Sequence, residues 1–281
     1  MRFPWRILSG VVATILIAGC NSTPPAPSVR TLEAGVLKVC LYPGFAPFGE
    51  QDDKGEFFGW DVSYLKAFAA REGLRFQSVV AKSFDGIWLE PAKDTCDVAA
   101  SGISDKAERR VATGTRGQWS QHYYNGLRAF LVRSGDAKSL GKIEDLQGRT
   151  VVVTANSTAD YDLRNRLRLG NVTTTKILDT TNDEDAAKMV RNAGPSGEPF
   201  AFGAGLGSLK ALAERLDGLA VVWPHCNMLA DGTGAQEPFS FVVRSESSGL
   251  LDALNGFIAS PDAKYEGASE GVTGCAPLPL S

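Results

Sequence analysis

A guanidinium presents a planar fork of N–H donors that matches a carboxylate through two parallel, charge-assisted bonds, and Arg109 can offer such a fork. Ser104 stands five residues earlier, near the start of a predicted helix, where a hydroxyl and free backbone N–H groups can bind a second anionic oxygen. Together they form a candidate anion clamp. The alternative is a surface helix on which Arg109 pairs with Glu108 or Asp105, each pair worth under ~1 kcal/mol. Arg110 is expected in solvent. Phe45 and Phe84, with Tyr42 in the loop of Phe45, would supply aromatic walls that keep water from the clamp, and each is equally readable as core. Further along, Asn156, Ser157 and Thr158 follow a strand end and offer amide, hydroxyl and backbone donors. The chain shows no nucleophile elbow and no Cys pair with a two-residue gap, and His122 and His225 are far apart. No catalytic residue, metal or cofactor is therefore expected.

These residues sit in a pattern of alternating strands and helices. Val36 to Leu41 reads as a strand that leads into the turn-rich Tyr42, Pro43 and Gly44. Asp61 is placed to cap a helix from Val62 to about Glu72, stopped by Gly73. Strands at Arg75 to Val80 and Asp97 to Ala100 complete a first α/β set with a parallel sheet. A second set opens at Ile143 and enters the strand Thr150 to Val153. Two similar strings, Phe130 to Ser134 and Phe241 to Ser245, are expected to be the paired crossings between two halves. The glycine-rich stretch Gly194 to Gly207 reads as irregular backbone around one short strand, Phe200 to Phe202.

Composition bounds the compartment. The 281 residues are 43% hydrophobic and 22% charged, which suits a globular chain of two ordinary domains. The net charge of -3 arises from interspersed signs, so no footprint for nucleic acid is present. Arg2 and Arg6 precede an apolar run from Ile7 to Ala18, too short to span a bilayer of ~20 helical residues and suited to a signal peptide. The run ends in Ile17, Ala18, Gly19 and Cys20, which resembles the bacterial lipoprotein box with Cys20 as the lipidated residue. Removing Cys20 from the five cysteines leaves an even set: Cys40, Cys96, Cys226 and Cys275. Four cysteines allow three pairings. The favoured one joins Cys40 to Cys96 and Cys226 to Cys275, with free buried thiols as the alternative.

Several stretches, in shared order and spacing, resemble the family 3 extracellular solute-binding proteins over roughly residues 35–257. They include Gly35, Leu37 and Val39 with Pro47 and Phe48; Gly59, Asp61 and Val62; Ser83 to Ile87 with Cys96 and Asp97; and Gly102, Ile103 and Ser104 with Glu108 and Arg109. Trp119 and Ser120 with Tyr123 and Tyr124, then Ile143 to Val153, continue the match. The resemblance implies an α/β, two-lobed periplasmic-binding-protein type II fold, each lobe a mainly parallel sheet flanked by helices and joined by two hinge strands. It implies a signal peptide over 1–19, a lipidated cysteine and tether over 20–34, one lobe from 35–132 plus 240–281, and another from 133–239. The implied ligand set is Tyr42, Phe45, Phe84, Ser101, Gly102, Ser104, Arg109, Asn156, Ser157 and Ala204, with Gly102, Ser104 and Arg109 on the ligand's carboxylate.

The resemblance also implies a monomeric receptor that is not an enzyme and that serves an ABC importer. It would be held to a membrane by lipid and bind a small carboxylate-bearing molecule in the periplasm. One departure bears on the ligand. Relatives present an aspartate to the ligand's ammonium after a later strand of the second lobe, where this chain reads Phe200 to Gly205 without an acid. An ammonium buried without an ionic partner is costly, so the ligand lacks the amine or Asp160, Asp162 or Asp183 substitutes. A transport-independent sensor or accessory protein, or a dehydratase or lytic enzyme on this scaffold, are the alternatives.

Overall fold

The computed structural model describes residues 29–194, 197–261 and 274–278; the expected signal peptide and Cys20 lie outside the described residues. Of the expected tether, residues 30 and 32 are docked: the Arg30 amide donates to the Ser248 carbonyl and the Leu32 amide to buried Asp97, at 2.9 and 2.7 Å.

Two five-stranded sheets with the same plan organise the chain. The first runs Arg75–Val80, Val36–Leu41, Val98–Ala99, Val242–Arg244 and Gly117–Trp119. The second runs Lys176–Thr180, Thr150–Thr154, Ala201–Gly205, Arg128–Arg133 and Leu219–His225. In each, the first three strands are parallel and the last two join antiparallel. Helices cover the faces: α1 (Trp60–Arg71) and the short α2 (Ala107–Thr113) on the first sheet, α3 (Thr158–Leu169), α4 (Asp183–Asn192) and α5 (Leu206–Arg215) on the second, and α6 (Leu250–Ile258) back on the first. Val62, Leu65, Phe68 and Ala69 form the buried stripe of α1. Thr150–Thr154 is buried throughout because both faces of its sheet are covered, and its centre, Val151 to Val153, is apolar.

The crossings differ from the expectation. Phe130 to Arg133 lies within the second sheet and Val242 to Arg244 within the first. The chain crosses instead through Tyr124–Gly126 and Glu237–Phe239, which pair antiparallel beside each other. Residues 128–132, assigned to the first lobe by sequence, therefore pair in the second sheet, and the isolated bridge of Ala276 with Ala235 places the 274–278 segment against the two-stranded Asn227–Met228/Gly234–Ala235 pair that follows the last strand of that sheet. In the glycine-rich stretch the expected short strand is present but longer, running Ala201–Gly205, and the bare Gly203 admits the Phe130 ring, which a Cβ there would meet at 3.1 Å.

Both favoured disulfides are present, with Cα separations of 5.7 Å for Cys40–Cys96 and 5.6 Å for Cys226–Cys275. Asp61 does not cap α1, whose N-cap is Gly59. Its buried carboxylate instead accepts the amides of Ser101 and Gly102, both at 2.7 Å, and the Tyr123 hydroxyl at 3.0 Å.

Candidate functional site

The loops that follow parallel strands carry the candidate residues, because open α/β sheets present their ligand-facing groups at the carboxyl ends of strands. In the first lobe these are Tyr42 to Phe48 and Ser101 to Arg109. In the second they are Asn156 to Thr158 and Thr181 to Asp183. The two sets meet: the Tyr42 hydroxyl donates to the Thr181 carbonyl, the Ser104 and Thr158 hydroxyls are 2.8 Å apart, and Arg215 binds Glu50 at 2.6 Å. Gly44 permits this approach, since a Cβ there would lie 2.6 Å from the Thr181 carbonyl oxygen. The lobes stand closed on one another.

Arg109 is 4% exposed, with Nη1 donating to the Ser104 carbonyl at 3.0 Å and its guanidinium 4.1 Å from the centre of the Trp88 ring. Its Nη2 is buried and has no hydrogen-bond partner among the described residues. Burial lowers its pKa to about 10, so it stays charged at neutral pH. The surface pairing weighed for Arg109 belongs to its neighbour, since Arg110, expected in solvent, grips Asp105 with two bonds of 2.6 Å. Burial raises the Asp105 pKa, yet hydrogen bonds from His122 and Arg110 outweigh it and hold the carboxyl below its usual range.

Ser104 donates to the Glu237 carboxylate at 2.6 Å, and Glu237 is ion-paired with Arg128, both side chains nearly fully buried. Arg128 stands two residues past the first crossing strand, and Glu237 opens the second. Sequence reasoning passed over them because a single charge at the edge of an apolar string reads as a solvated strand end; that Arg128 adjoins the wholly apolar Ala129 to Val132 was the available signal.

Other expected residues are more structural than ligand-facing in this closed form. Phe45 and Phe84 stack directly on each other, with centroids 4.8 Å apart, and do not flank a gap. Ser101 takes a left-handed backbone (φ 92°), and its hydroxyl accepts the Tyr42 amide at 2.9 Å. Gly102 (φ 65°) packs against Phe45 and Phe48, whose rings a Cβ would meet at 3.0 to 3.1 Å. Ser157 caps α3 by accepting the Asp160 amide, and Ala204 lies in the strand core opposite Ala129. Asn156 reaches across the lobes to Asp85 at 3.4 Å.

Of the three acids weighed as substitutes, Asp160 is bound to Arg164, and Asp162 to His225, Arg166 and the Met228 amide. Asp183 faces inward. Its Oδ1 accepts from Thr154 at 2.9 Å, its buried Oδ2 has no partner among the described residues, and burial pushes its pKa to about 7 against the pull of Thr154 and Arg128.

A cavity of about 660 Å³ opens between the lobes beside Arg109, lined by Trp88, Lys106, Tyr161, Asn165 and Asn227 among others. Lys106 lies 4.5 Å from the centre of the Tyr161 ring, and burial together with the charge of Arg109 lowers its pKa to about 8. The acids of this cavity, Asp85, Glu108 and Asp231, are exposed at its rim. The buried formal charge on the cavity wall is thus cationic. Trp88, Lys106, Tyr161 and Asn227 were absent from the expected set; for the first two, the aromatic after Ile87 and the lysine three residues before Arg109 were the available signals.

Comparison with known proteins bears on this arrangement. The arginine-binding protein ArgT of Corynebacterium glutamicum is 32% identical over 92 residues, and cyclohexadienyl dehydratase of Pseudomonas aeruginosa 35% over 81. Each match covers about a third of this chain (31% and 29%) and 30% of the relative. Among solved structures, an ancestral arginine-binding protein bound to arginine superposes with a TM-score of 0.65 at 25% identity, covering 80% of this chain and 91% of that one. A truncated, arginine-bound arginine-binding protein of T. maritima gives 0.63 at 24%, covering 79% and 94%, a likeness of fold. Residues 37–268 match the family model for the bacterial extracellular solute-binding proteins, family 3, and the chain belongs to that family.

Proposed function

We propose that this protein is a lipid-anchored periplasmic receptor that captures a small carboxylate-bearing solute between its lobes and presents the closed form to an ABC permease. The carrying observation is the buried Arg109 guanidinium, charged, oriented by Trp88, with one nitrogen lacking an acceptor among the described residues beside the interlobe cavity. A carboxylate supplies the missing acceptor with charge assistance. Contacts from Ser104, Tyr42 and Asn156 to the opposite lobe exist only while the lobes are shut, so a solute bridging both sides shifts the equilibrium toward closure by its differential affinity.

Thermal-shift screening of the mature protein against amino acids and small carboxylates is the test, since a ligand of the native state raises the melting temperature by mass action. Arg109→Ala is expected to remove the shift given by the carboxylate that binds wild type. An unchanged affinity by calorimetry would refute the clamp. Cys20→Ser is expected to move the protein from the membrane to the soluble fraction.

A second reading has one specific support. Asp183 holds its proton to about pH 7 in the cleft region, as a general acid must, and a third of the chain resembles a dehydratase. Loss of water from a hydroxycyclohexadienyl carboxylate, with carbon dioxide leaving in place of a proton where the carboxyl sits on a quaternary ring carbon, followed by absorbance of the aromatic product and abolished by Asp183→Asn, would establish it.

A further inference from the structure

The far wall of the cavity beside Arg109 is a loop outside both five-stranded sheets. It begins at Cys226, whose disulfide to Cys275 ties it to the 274–278 segment, and Leu278 completes the lining. Helix α3 holds the loop: Asp162 accepts the Met228 amide at 2.6 Å, and the Asn165 side chain donates to the Met228 carbonyl at 2.9 Å. Asn227 pairs through its backbone with Ala235.

The Asn227 side chain takes no part in that anchoring. It is 3% exposed, lines the cavity, and its Oδ1 is buried with no hydrogen-bond partner among the described residues. Two residues that line this cavity thus carry buried polar atoms of opposite sense without a partner among the described residues, a donor on Arg109 and an acceptor on Asn227. Leaving either unmatched is costly, and a single solute carrying both complements satisfies both.

Building on the receptor reading above, we infer that Asn227 is a specificity-determining residue that accepts a hydrogen bond from the solute, which is thus a carboxylate that also bears an O–H or N–H donor. A site built around such an acceptor rejects an analogue that lacks the donor, because the buried oxygen is then left unpaired.

The test is calorimetry on the disulfide-bonded mature protein with three pairs that differ only in the donor: 4-hydroxybenzoate and benzoate, 2-hydroxyisovalerate and isovalerate, leucine and 4-methylpentanoate. The pairs also separate hydroxyl from amine donors. In at least one pair the donor-bearing member is expected to bind at least tenfold tighter. Asn227→Leu should bring that ratio close to one while leaving the affinity of the plain carboxylate in place. The substitution removes an acceptor that has no partner to lose, so the melting temperature should hold or rise. A ratio unchanged by Asn227→Leu, or no binding by any of the six, overturns the inference. Wild-type affinity in Arg109→Lys would instead overturn the receptor reading on which it rests.

Discussion

The Arg109 guanidinium sits 4.1 Å from the centre of the Trp88 ring and donates to the Ser104 carbonyl, so among the described residues an aromatic ring and a carbonyl, rather than a carboxylate, hold it in place. A cation held by a ring is oriented and keeps its charge, which leaves it free to recruit an external anion.

Replacing Trp88 with leucine removes this support while keeping an apolar side chain. Cation–π contacts are worth ~0.5–2 kcal/mol, so carboxylate affinity should fall between roughly twofold and thirtyfold. Calorimetry with the identified ligand checks this. An unaltered affinity would mean that the Ser104 carbonyl alone orients the guanidinium.

Glu237→Ala leaves Arg128 buried without its carboxylate partner and removes the acceptor of Ser104. Breaking one side of a buried pair costs about 3–5 kcal/mol. The denaturation midpoint should drop accordingly, and an Arg128→Met/Glu237→Leu double variant should regain much of the loss.

Anion affinity should depend on Lys106. The folded protein releases this proton near pH 8, below the usual 10.5, and an anion binds best while the proton is present. Affinity should therefore decline as pH rises through about 8, and Lys106→Met should be weaker at pH 7 and insensitive to pH over that interval. The same shift makes the native state more stable as pH rises from about 8 to 10.5, because the unfolded chain binds the proton more tightly.

Asp183 works in the opposite direction. Its folded pKa of about 7 exceeds its usual 3.8, so its stabilising contribution is complete below about pH 4 and is lost as pH rises to 7. Asp183→Asn should gain stability relative to wild type across that window, as read from urea midpoints at each pH. Parallel profiles would show that the carboxyl ionises freely.

Much of the scaffold was readable because local and global preferences agree. Val36–Leu41 and Arg75–Val80 appear at the expected residues, the first a nearly apolar run and the second a mixed RFQSVV segment set off by the Gly73 stop before it. The crossings were not readable. Phe130 to Arg133 is a central strand of a buried sheet, and such a strand has the same apolar string as an edge segment passing between lobes. The strand expected at Phe200 to Phe202 runs on to Gly205, an extension that escaped because glycine disfavours strands in isolation, whereas here Gly203 makes room for the Phe130 ring. Arg109 and Ser104, paired by their spacing, do touch in the structure. Trp88, the other partner of Arg109, and the opposing Asn227 became visible only once loops distant in sequence were brought together.

The Cys226–Cys275 bond has a topological consequence. Helix α6 packs on the first lobe, while Cys275 is fastened to the second. The covalent circuit from Cys226 through the return crossing and α6 to Cys275 thus encloses parts of both halves, and neither can unravel fully while the other end of the circuit stays folded. Oxidation state then governs cooperativity: the bridged protein should melt as one body, and the reduced one as two.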